Sequence, residues 1–408
     1  MPVLEATSNL LAELQAVRAE SDRFFTILTP EAIYERPIAE RHRVLFYIGH
    51  LDGFDSIQIC REGLGLRSPD STFDALFQAG IDPDSSSLPR DRPEDWPSME
   101  QVQEYVARCR RHVDENLGRT SEDQVSIALE HRQMHLETLA YMFHNFDYRL
   151  KHVDAAPPLE QTGRASPVNY WIDIPAGEAI LGKRHDGTFG WDNEYDESVR
   201  SVPAFSIQQN SVTNGEYLRF VEAGAPLPHF WARHGDAIHY RGMFEEIPLP
   251  LDWPVYVAQR EAQAYAKWIG KSLPSEEQFH RAAFGSLAGA QRQFPWGSSR
   301  PSASRGNFNL RRWDPEPVDA NPTGQSEFGV HQLAGNAWQW TSTIFGPFPG
   351  FQPRPSYPGY SANFFDGEHF VMKGGSARTA DRLLRRSFRN WFRSDYPYVY
   401  AGFRCVEN

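Results

Sequence analysis

Two histidines four residues apart are the first candidates for chemistry in this sequence. His131 and His135 lie within residues 129–138, a stretch with helical periodicity, and this separation puts both imidazoles on one helix face, one turn apart. Such a pair binds a transition metal when the fold brings a third ligand to it. The spacing alone is equally consistent with two hydrogen-bonded core histidines, so both interpretations stay open.

Composition argues against several classes of function. The chain of 408 residues is longer than a domain with a single hydrophobic core usually is, so we expect two or three domains. The formal net charge of −12 argues against nucleic acid and anionic membranes as partners, because both call for basic patches. Cys60, Cys109 and Cys405 are widely separated and form no disulfide framework. With no apolar run of membrane-spanning length and no basic, apolar leader, the sequence predicts a cytoplasmic protein.

The elements that must position the histidines are helices, predicted over residues 7–27, 40–63, 98–117 and 121–150. Thr120 and Asp123 form a capping-box-like pair at the start of the last one. Between the second and third helices, residues 65–97 are rich in Pro, Asp, Ser and Gly and indicate a long crossover loop. Four helices with one long crossover predict a helix bundle whose site is built from inward-facing side chains.

The helical periodicity stops after residue 152. Residues 153–167 contain Pro and Gly clusters that predict a linker. Residues 168–408 are rich in Gly, Pro and Trp, with short strand-like runs and two helices predicted over 213–222 and 260–269. The sequence therefore predicts an α+β chain, with a helical domain over residues 1–152 and a mixed domain over residues 168–408.

Short motifs in the second half resemble those of the formylglycine-generating-enzyme domain, which has a C-type-lectin-like fold. They are residues 211–217 (SVTNGEY), 271–279 (KSLPSEEQF), 294–297 (FPWG), 335–340 (GNAWQW) and 402–405 (GFRC). In the sulfatase-activating members of that family two cysteines carry out the oxidation through copper. The corresponding segment here, residues 374–386, has no cysteine, so the resemblance implies the fold without copper-thiolate chemistry.

The first half resembles the DinB-like four-helix bundle, and the two domains in this order resemble the ergothioneine and ovothiol sulfoxide synthases. These are non-heme iron enzymes that use O2 to join a thiol sulfur to the imidazole of histidine or of trimethylhistidine (hercynine). His131 and His135 match their iron motif, and His50 matches their upstream ligand. The resemblance therefore implies Fe(II) held by His50, His131 and His135, with the second domain roofing the site.

The same resemblance implies substrate roles in the second domain. Tyr357 fits the position of the active-site proton donor, and Tyr360 follows three residues later; each is equally consistent with a packing aromatic. Asn390 and Trp391 match the pair that contacts the histidine-derived substrate. The aromatic faces of Trp391, Phe392 and Tyr360 suit a trimethylammonium group.

Two departures from the family pattern bear on substrate choice. Met134 stands where some relatives carry a Gln before the last ligand histidine. Phe392 and Tyr396 stand where relatives that use γ-glutamylcysteine carry an Asp and an Arg. We therefore expect a smaller thiol, most simply cysteine. Its carboxylate would pair with Arg90 or Arg92 of the crossover loop.

These features together predict an Fe(II)- and O2-dependent sulfoxide synthase that joins cysteine to hercynine in ergothioneine biosynthesis. One alternative keeps the metal centre and changes the reaction: γ-glutamylcysteine or a selenosugar replaces cysteine, as in a selenoneine synthase, or the protein oxygenates a thiol. The other alternative is a non-catalytic, lectin-like binding module whose histidines are structural.

Overall fold

The computed structural model describes residues 2–78, 88–152 and 163–408, with side chains from residue 10 onward. The chain divides into two compact units, Met1–Pro157 and Pro158–Asn408. Most of the predicted linker, at residues 153–162, lies outside the described residues, as do residues 79–87 of the predicted crossover loop.

The first unit is helical in its described residues. Its α-helices are α1 (Pro2–Phe25), α2 (Val44–Ser56), α3 (Ser71–Phe77), α4 (Met99–Asn116) and α5 (Glu122–His144). Helices form at the four predicted places. The short α3 adds a fifth inside the predicted crossover loop, so the expected count of four helices is one too low.

The predicted helix boundaries differ from the structure in three places. The second helix begins at Val44 instead of residue 40, because Arg43 before it has an extended backbone with ψ 156°. Ser121, not Thr120, caps α5, since its hydroxyl accepts the Gln124 N–H at 3.3 Å. The last helix ends at His144 instead of residue 150, where a separate 3₁₀ turn over Tyr148–Leu150 follows.

α2 is the central helix of this unit. Twelve of its 13 residues are buried, and it packs against α3, α4 and α5, so it has no solvent-facing polar side. Two of its residues are Gly49 and Gly53, although glycine inside a helix is roughly 1 kcal/mol less favourable than alanine. A Cβ atom at Gly53 would lie 2.5 Å from the Tyr105 hydroxyl of α4. Glycine at this position therefore allows a close approach between helices.

A buried ion cluster joins the four long helices. Arg132 of α5 donates to Asp52 at 2.8 Å and to Asp55 at 2.6 Å, both on α2. Arg18 of α1 lies 3.7 and 3.6 Å from the same two carboxylates, and Arg110 of α4 donates to Asp52 at 3.0 and 2.9 Å. Burial works to raise the pKa of Asp52, but the surrounding guanidinium groups outweigh it and hold that pKa below its ordinary value. We call these five residues the ion cluster.

The ion cluster sets the register between α2 and α5. Asp52 follows His50 by two residues, and Arg132 follows His131 by one. Sliding either helix by one turn, about 5.4 Å, would leave buried charges without partners, which costs about 3–5 kcal/mol. The charge pairing therefore fixes which residues of α2 lie opposite which residues of α5.

The second unit contains every strand among the described residues. Its strands are β1 (Trp171–Ile174), β2 (Gly177–Leu181), β3 (Ser198–Val202), β4 (Phe205–Gln208), β5 (Trp231–His234), β6 (Ala237–Arg241), β7 (Glu246–Pro248), β8 (Trp338–Ile344), β9 (His369–Lys373), β10 (Asn390–Arg393), β11 (Ala401–Gly402) and β12 (Val406–Glu407). They form four small sheets with the orders β1-β4-β12, β10-β9-β8-β11, β2-β3 and β5-β6-β7. The predicted mixture of helices and short strands in this half is confirmed.

Three α-helices accompany these sheets: α6 (Asn214–Glu222), α7 (Gln259–Trp268) and α8 (Glu276–Phe284). The first two confirm the predicted helices. Thr213 caps α6 by accepting the Glu216 N–H at 3.1 Å. α8 was not predicted; Phe279 on it is fully buried in the main core of the unit.

The three cysteines are buried and none is disulfide-bonded. Burial raises the pKa of Cys60 and of Cys109 to about 12, and it raises the pKa of Cys405 further. All three thiols are therefore protonated at neutral pH. In the part of the chain that the structure describes, no helix combines the length and the apolar character needed to span a bilayer.

Replacing Arg132 by alanine is expected to lower the free energy of unfolding of the helical unit by about 3–5 kcal/mol, because Asp52 and Asp55 would stay buried without the guanidinium group that donates hydrogen bonds to both. Urea unfolding of the full chain, followed by far-UV circular dichroism, measures this loss. Arg23→Ala is the control. The Arg23 side chain is 78% exposed, and its ion pair with Glu20, at 3.8 Å, is a surface pair that contributes little to stability. Equal unfolding midpoints for the two variants would show that the ion cluster does not stabilise the helical unit.

Candidate metal centre and aromatic cluster

Three buried histidines meet inside the first unit. His131 and His135 share one face of α5, and His50 lies on α2. One ring nitrogen from each lies within 4.8 Å of the others. His135 Nε2 is 3.1 Å from His50 Nε2 and 3.1 Å from His131 Nε2. We call these residues the histidine triad.

Hydrogen bonding between the rings does not account for this convergence. His50 donates its Nδ1 proton to the Phe77 carbonyl at 2.6 Å, so the Nε2 atom of the neutral ring presents a lone pair. His135 Nε2 carries at most one proton for two neighbouring nitrogens. At most one of the two 3.1 Å contacts is therefore a linear hydrogen bond, whereas a cation between the rings would satisfy all three nitrogens.

Electrostatics keep the triad neutral. Burial lowers the pKa of His50 to about 4 and lowers the pKa of His131 and His135 well below the usual value, and the nearby Arg132 acts in the same direction. Neutral imidazoles are the form that binds a metal. The buried rings are thus in the ligating state at neutral pH.

The spacing of the nitrogens fits a single ion. Two nitrogens that each lie about 2.1 Å from one metal, at ligand angles of about 90–110°, are about 3.0–3.4 Å apart. The two separations that involve His135 Nε2 are both 3.1 Å, and the third pair of ring nitrogens lies within 4.8 Å. Three imidazoles suit Fe(II), Zn(II) or Cu(II) and leave further coordination positions for substrates. The residues present therefore fit a transition metal, and ligand type alone does not choose among these ions.

Aromatic rings on α2 hold the ligand rings in place. Phe54 stacks on His131 with centroids 3.4 Å apart and planes 9° from parallel. Phe46 lies 4.9 Å from His50 at 20°. Phe46, His50 and Phe54 recur every four residues and so form one stripe along the helix. These faces restrict rotation of the ligand imidazoles.

Tyr47 adds a phenol beside the triad. It lies one turn before His50 on α2 and is fully buried, with its ring centroid 5.8 Å from that of His135. Sequence reasoning did not select it, because a tyrosine in an apolar helix indicates core packing more often than chemistry.

The other predicted residues of the first unit lie in varied surroundings. Met134 is half-buried on α5. Arg90 is exposed, and the exposed Arg92 donates to Asp95 at 3.3 Å. Asp91 between them accepts hydrogen bonds from three other side chains, those of Arg36, of Arg43 at 2.8 Å and of Trp96 at 2.7 Å.

In the second unit the structure brings Tyr360 and Trp391 together. Their ring centroids are 5.4 Å apart and nearly perpendicular. Trp391 also stacks on Phe345 at 4.2 Å and 6°, and Tyr360 stacks on Trp191 at 3.9 Å and 20°. We call Trp191, Phe345, Tyr360 and Trp391 the aromatic cluster. Trp191 is completely buried; we did not assign it a role from the sequence, because no local pattern shows which loop it meets.

The remaining predicted residues of this unit flank the aromatic cluster. Tyr357 is half-buried, with its ring 5.7 Å from that of Tyr360. The Asn390 side-chain oxygen accepts the Trp391 N–H at 2.9 Å, so the amide nitrogen is the part of this side chain that can donate a hydrogen bond. Phe392 follows Trp391 in β10 and so lies on the opposite face of the strand from it. Its ring stacks on that of Tyr396, with the centroids 5.0 Å apart.

Buried carboxylates anchor the turn that carries Trp191. The Ser361 hydroxyl donates to Asp192, and the Ser387 hydroxyl donates to Glu194 at 2.6 Å. Arg385 also donates to Glu194, at 2.8 Å. These bonds connect residues far apart in sequence and hold the loops on which the aromatic cluster depends.

Two family models match the chain. The sulfatase-modifying factor enzyme 1-like domain matches residues 157–408, and the DinB superfamily matches residues 13–147. The hercynine oxygenase of Mycolicibacterium smegmatis is 33% identical over 339 residues, which cover 74% of this chain and 76% of that protein. The chain belongs to the hercynine oxygenase family. The resemblance predicted from the motifs is thus confirmed for both halves.

Two longer relatives match almost the whole chain. Ergothioneine biosynthesis protein 1 of Schizosaccharomyces pombe is 29% identical, over 94% of this chain and 54% of its own length. The protein of the same name from Neurospora crassa is 28% identical, over 94% of this chain and 56% of its own length. The chain therefore spans about half the length of these two relatives.

The full chain, stripped of metal with a chelator, is expected to bind one Co(II) or Fe(II) per molecule under anaerobic conditions. His135→Ala should weaken binding by more than about 100-fold, because loss of a ligand exceeds the 10- to 100-fold effect typical of residues behind a ligand. Calorimetry and Co(II) absorption measure the affinity. The exposed His152, replaced by alanine, is the control. Equal affinities for the two variants would refute a ligand role for His135.

Proposed function

We propose that the protein is an iron-dependent sulfoxide synthase that joins the sulfur of a small thiol, cysteine, to the imidazole carbon of hercynine. The observation that carries the proposal is the convergence of three neutral Nε2 atoms in a buried site. It is supported by membership of a family named for hercynine oxygenation and by relatives named for ergothioneine biosynthesis. On this basis the protein acts in ergothioneine biosynthesis.

The reaction is balanced by O2 alone. The imidazole C–H and the thiol S–H bonds break, and a C–S bond and an S–O bond form. One oxygen atom of O2 enters the sulfoxide, and the other leaves as water with the two released hydrogens. When bound by the histidine triad, Fe(II) would supply the activation of O2 and the oxidation of sulfur.

The imidazole rings and the phenyl rings at the metal centre have separate tasks in this proposal. The three neutral imidazoles hold the metal without adding negative charge. Because they are only three ligands, they leave positions for a thiolate and an imidazole beside O2. The rings of Phe46 and Phe54 keep His50 and His131 from rotating and exclude water from the ligand side of the centre. Both effects favour ordered binding of the substrates over loss of the metal.

The second unit supplies the substrate contacts in this proposal. The faces of Trp391 and Tyr360 suit the trimethylammonium group of hercynine, which attracts aromatic rings and offers no hydrogen-bond donor. The amide nitrogen of Asn390, whose oxygen already accepts the Trp391 N–H, is a donor for the carboxylate or the imidazole of the same substrate. Phe392 offers apolar surface, which favours a short thiol over a charged glutamyl extension.

Tyr357 is the proposed proton donor. Its phenol would deliver a proton during O2 reduction and so favour C–S bond formation over simple oxygenation of the thiol. Tyr47 is the competing candidate, because it is buried beside His135. The two tyrosines make a matched pair for mutation, since each change to phenylalanine removes a single oxygen atom.

Anaerobic reconstitution with Fe(II) and hercynine, followed by O2 and one sulfur or selenium donor, tests the proposal. Cysteine, γ-glutamylcysteine and a selenosugar are offered in parallel, and mass spectrometry identifies the product. We expect the sulfoxide with cysteine and none with His135→Ala. Coupling only with the selenosugar or γ-glutamylcysteine would correct the donor, and tight hercynine binding without metal uptake or turnover would indicate a binding module.

Tyr357→Phe is expected to lower sulfoxide formation by about 10²-fold and to shift the product toward cysteine sulfinate, because a general acid contributes about 10²–10⁴-fold. Product ratios under the same conditions measure the shift. If Tyr47→Phe shows the shift and Tyr357→Phe does not, the assignment to Tyr357 is wrong. The exposed Tyr170, replaced by phenylalanine, controls for loss of a hydroxyl elsewhere.

A further inference from the structure

The orientation of His50 depends on a helix that the sequence did not predict. His50 Nδ1 donates to the backbone carbonyl of Phe77 at 2.6 Å, and Phe77 is the last residue of α3. The final carbonyl groups of a helix have no partner within that helix. The end of α3 therefore offers an acceptor at the point where His50 needs one.

A glycine brings α3 this close to α2. A Cβ atom at Gly49 would lie 2.5 Å from Cζ of Phe77 and 2.6 Å from both its Cε atoms. The Phe77 ring is almost completely buried and so lies directly on the backbone of α2, one residue before His50. A side chain at residue 49 would push the ring, and with it the carbonyl, away from His50.

α4 holds α3 from the other side. The Tyr105 hydroxyl donates to the buried Asp74 carboxylate at 2.8 Å. Arg108 donates to Asp70 at 2.8 Å, and Asp70 caps α3 by accepting the Phe73 N–H at 3.1 Å. Tyr105 and Arg108 lie on neighbouring turns of α4, so α3 is held at its first turn and at its centre.

We infer that α3 is a positioning element for the metal centre: the Phe77 carbonyl, held by the Gly49 contact and the Tyr105–Asp74 bond, keeps His50 in the tautomer whose Nε2 can bind metal. This inference rests on the proposed metal centre. A neutral histidine without such an acceptor exchanges between two tautomers, and in one of them Nε2 carries a proton and cannot ligate. Acceptors behind ligating histidines set ring orientation and metal affinity.

Gly49→Ala tests the inference without touching a ligand. The metal-free full chain is titrated with Co(II), and the affinity is expected to fall by about 10- to 100-fold. Imidazole ¹⁵N spectra of the metal-free protein give a second readout: His50 should be Nδ1-protonated in the parent and mixed in the variant. Circular dichroism checks that the variant is folded.

Tyr105→Phe is the second variant, for the case in which Gly49→Ala does not fold. It removes only the hydroxyl that binds Asp74, and it is expected to weaken Co(II) binding by about 10-fold. Tyr34→Phe is its matched control. That change removes a hydroxyl bonded to the Pro97 carbonyl at 3.1 Å, at the far end of the same crossover, and should leave the affinity unchanged.

The outcomes separate the inference from the proposal beneath it. If the parent protein binds no Co(II), the metal centre itself is wrong. If the parent binds Co(II) and a folded Gly49→Ala, or Tyr105→Phe where Gly49→Ala does not fold, binds it equally well with His50 still Nδ1-protonated, α3 does not position the ligand. Weaker binding with a changed tautomer in that variant, and unchanged binding in Tyr34→Phe, supports the inference.

Discussion

The pairing of Arg132 with Asp52 and Asp55 is the interaction on which the helical unit depends. Through Arg132 and Asp52 it connects α5 to α2 within two residues of the ligands His131 and His50. A buried ion pair adds little net stability compared with apolar packing, but it strongly penalises any arrangement that separates its members. The ion cluster therefore acts mainly on specificity: it selects the one register in which the triad forms. The apolar contacts of α2 alone would tolerate other registers.

Once α2 and α5 are in this register, each imidazole of the triad has its own contacts. His131 is held by the face of Phe54, and His50 by the Phe77 carbonyl and the face of Phe46. The Nε2 atom of His135 lies within 3.1 Å of the Nε2 atoms of both His50 and His131. The second unit organises its aromatic cluster by comparable means, because buried carboxylates such as Glu194 fix loops that have no regular secondary structure. In both units charged groups fix the helices or loops, and aromatic rings pack around the candidate site residues.

The long helices and the histidine pair could be predicted from the sequence, because periodicity and an i,i+4 spacing are local properties. The family of the second half could likewise be predicted from its short sequence motifs. α3 was missed because Ser71–Phe77 is short and embedded in a segment rich in turn-forming residues. The Phe77 carbonyl and the stacking of Trp191 on Tyr360 were missed because a backbone acceptor has no sequence signature and the stacked rings lie 169 residues apart. Gly49 and Gly53 were the one available signal, since two glycines inside a helix indicate close neighbours.

The burial of α2 on every side has a consequence for how the protein assembles. This helix carries two carboxylates, Asp52 and Asp55, into the interior, and their cations arrive on three other helices. A partly docked bundle would have to bury those carboxylates uncompensated or leave an apolar helix in water, and both states are unfavourable. Intermediates are thereby disfavoured, and the helical unit is expected to fold cooperatively. The ligand set then exists either whole or not at all, so a half-formed centre that binds metal in the wrong geometry has little opportunity to form.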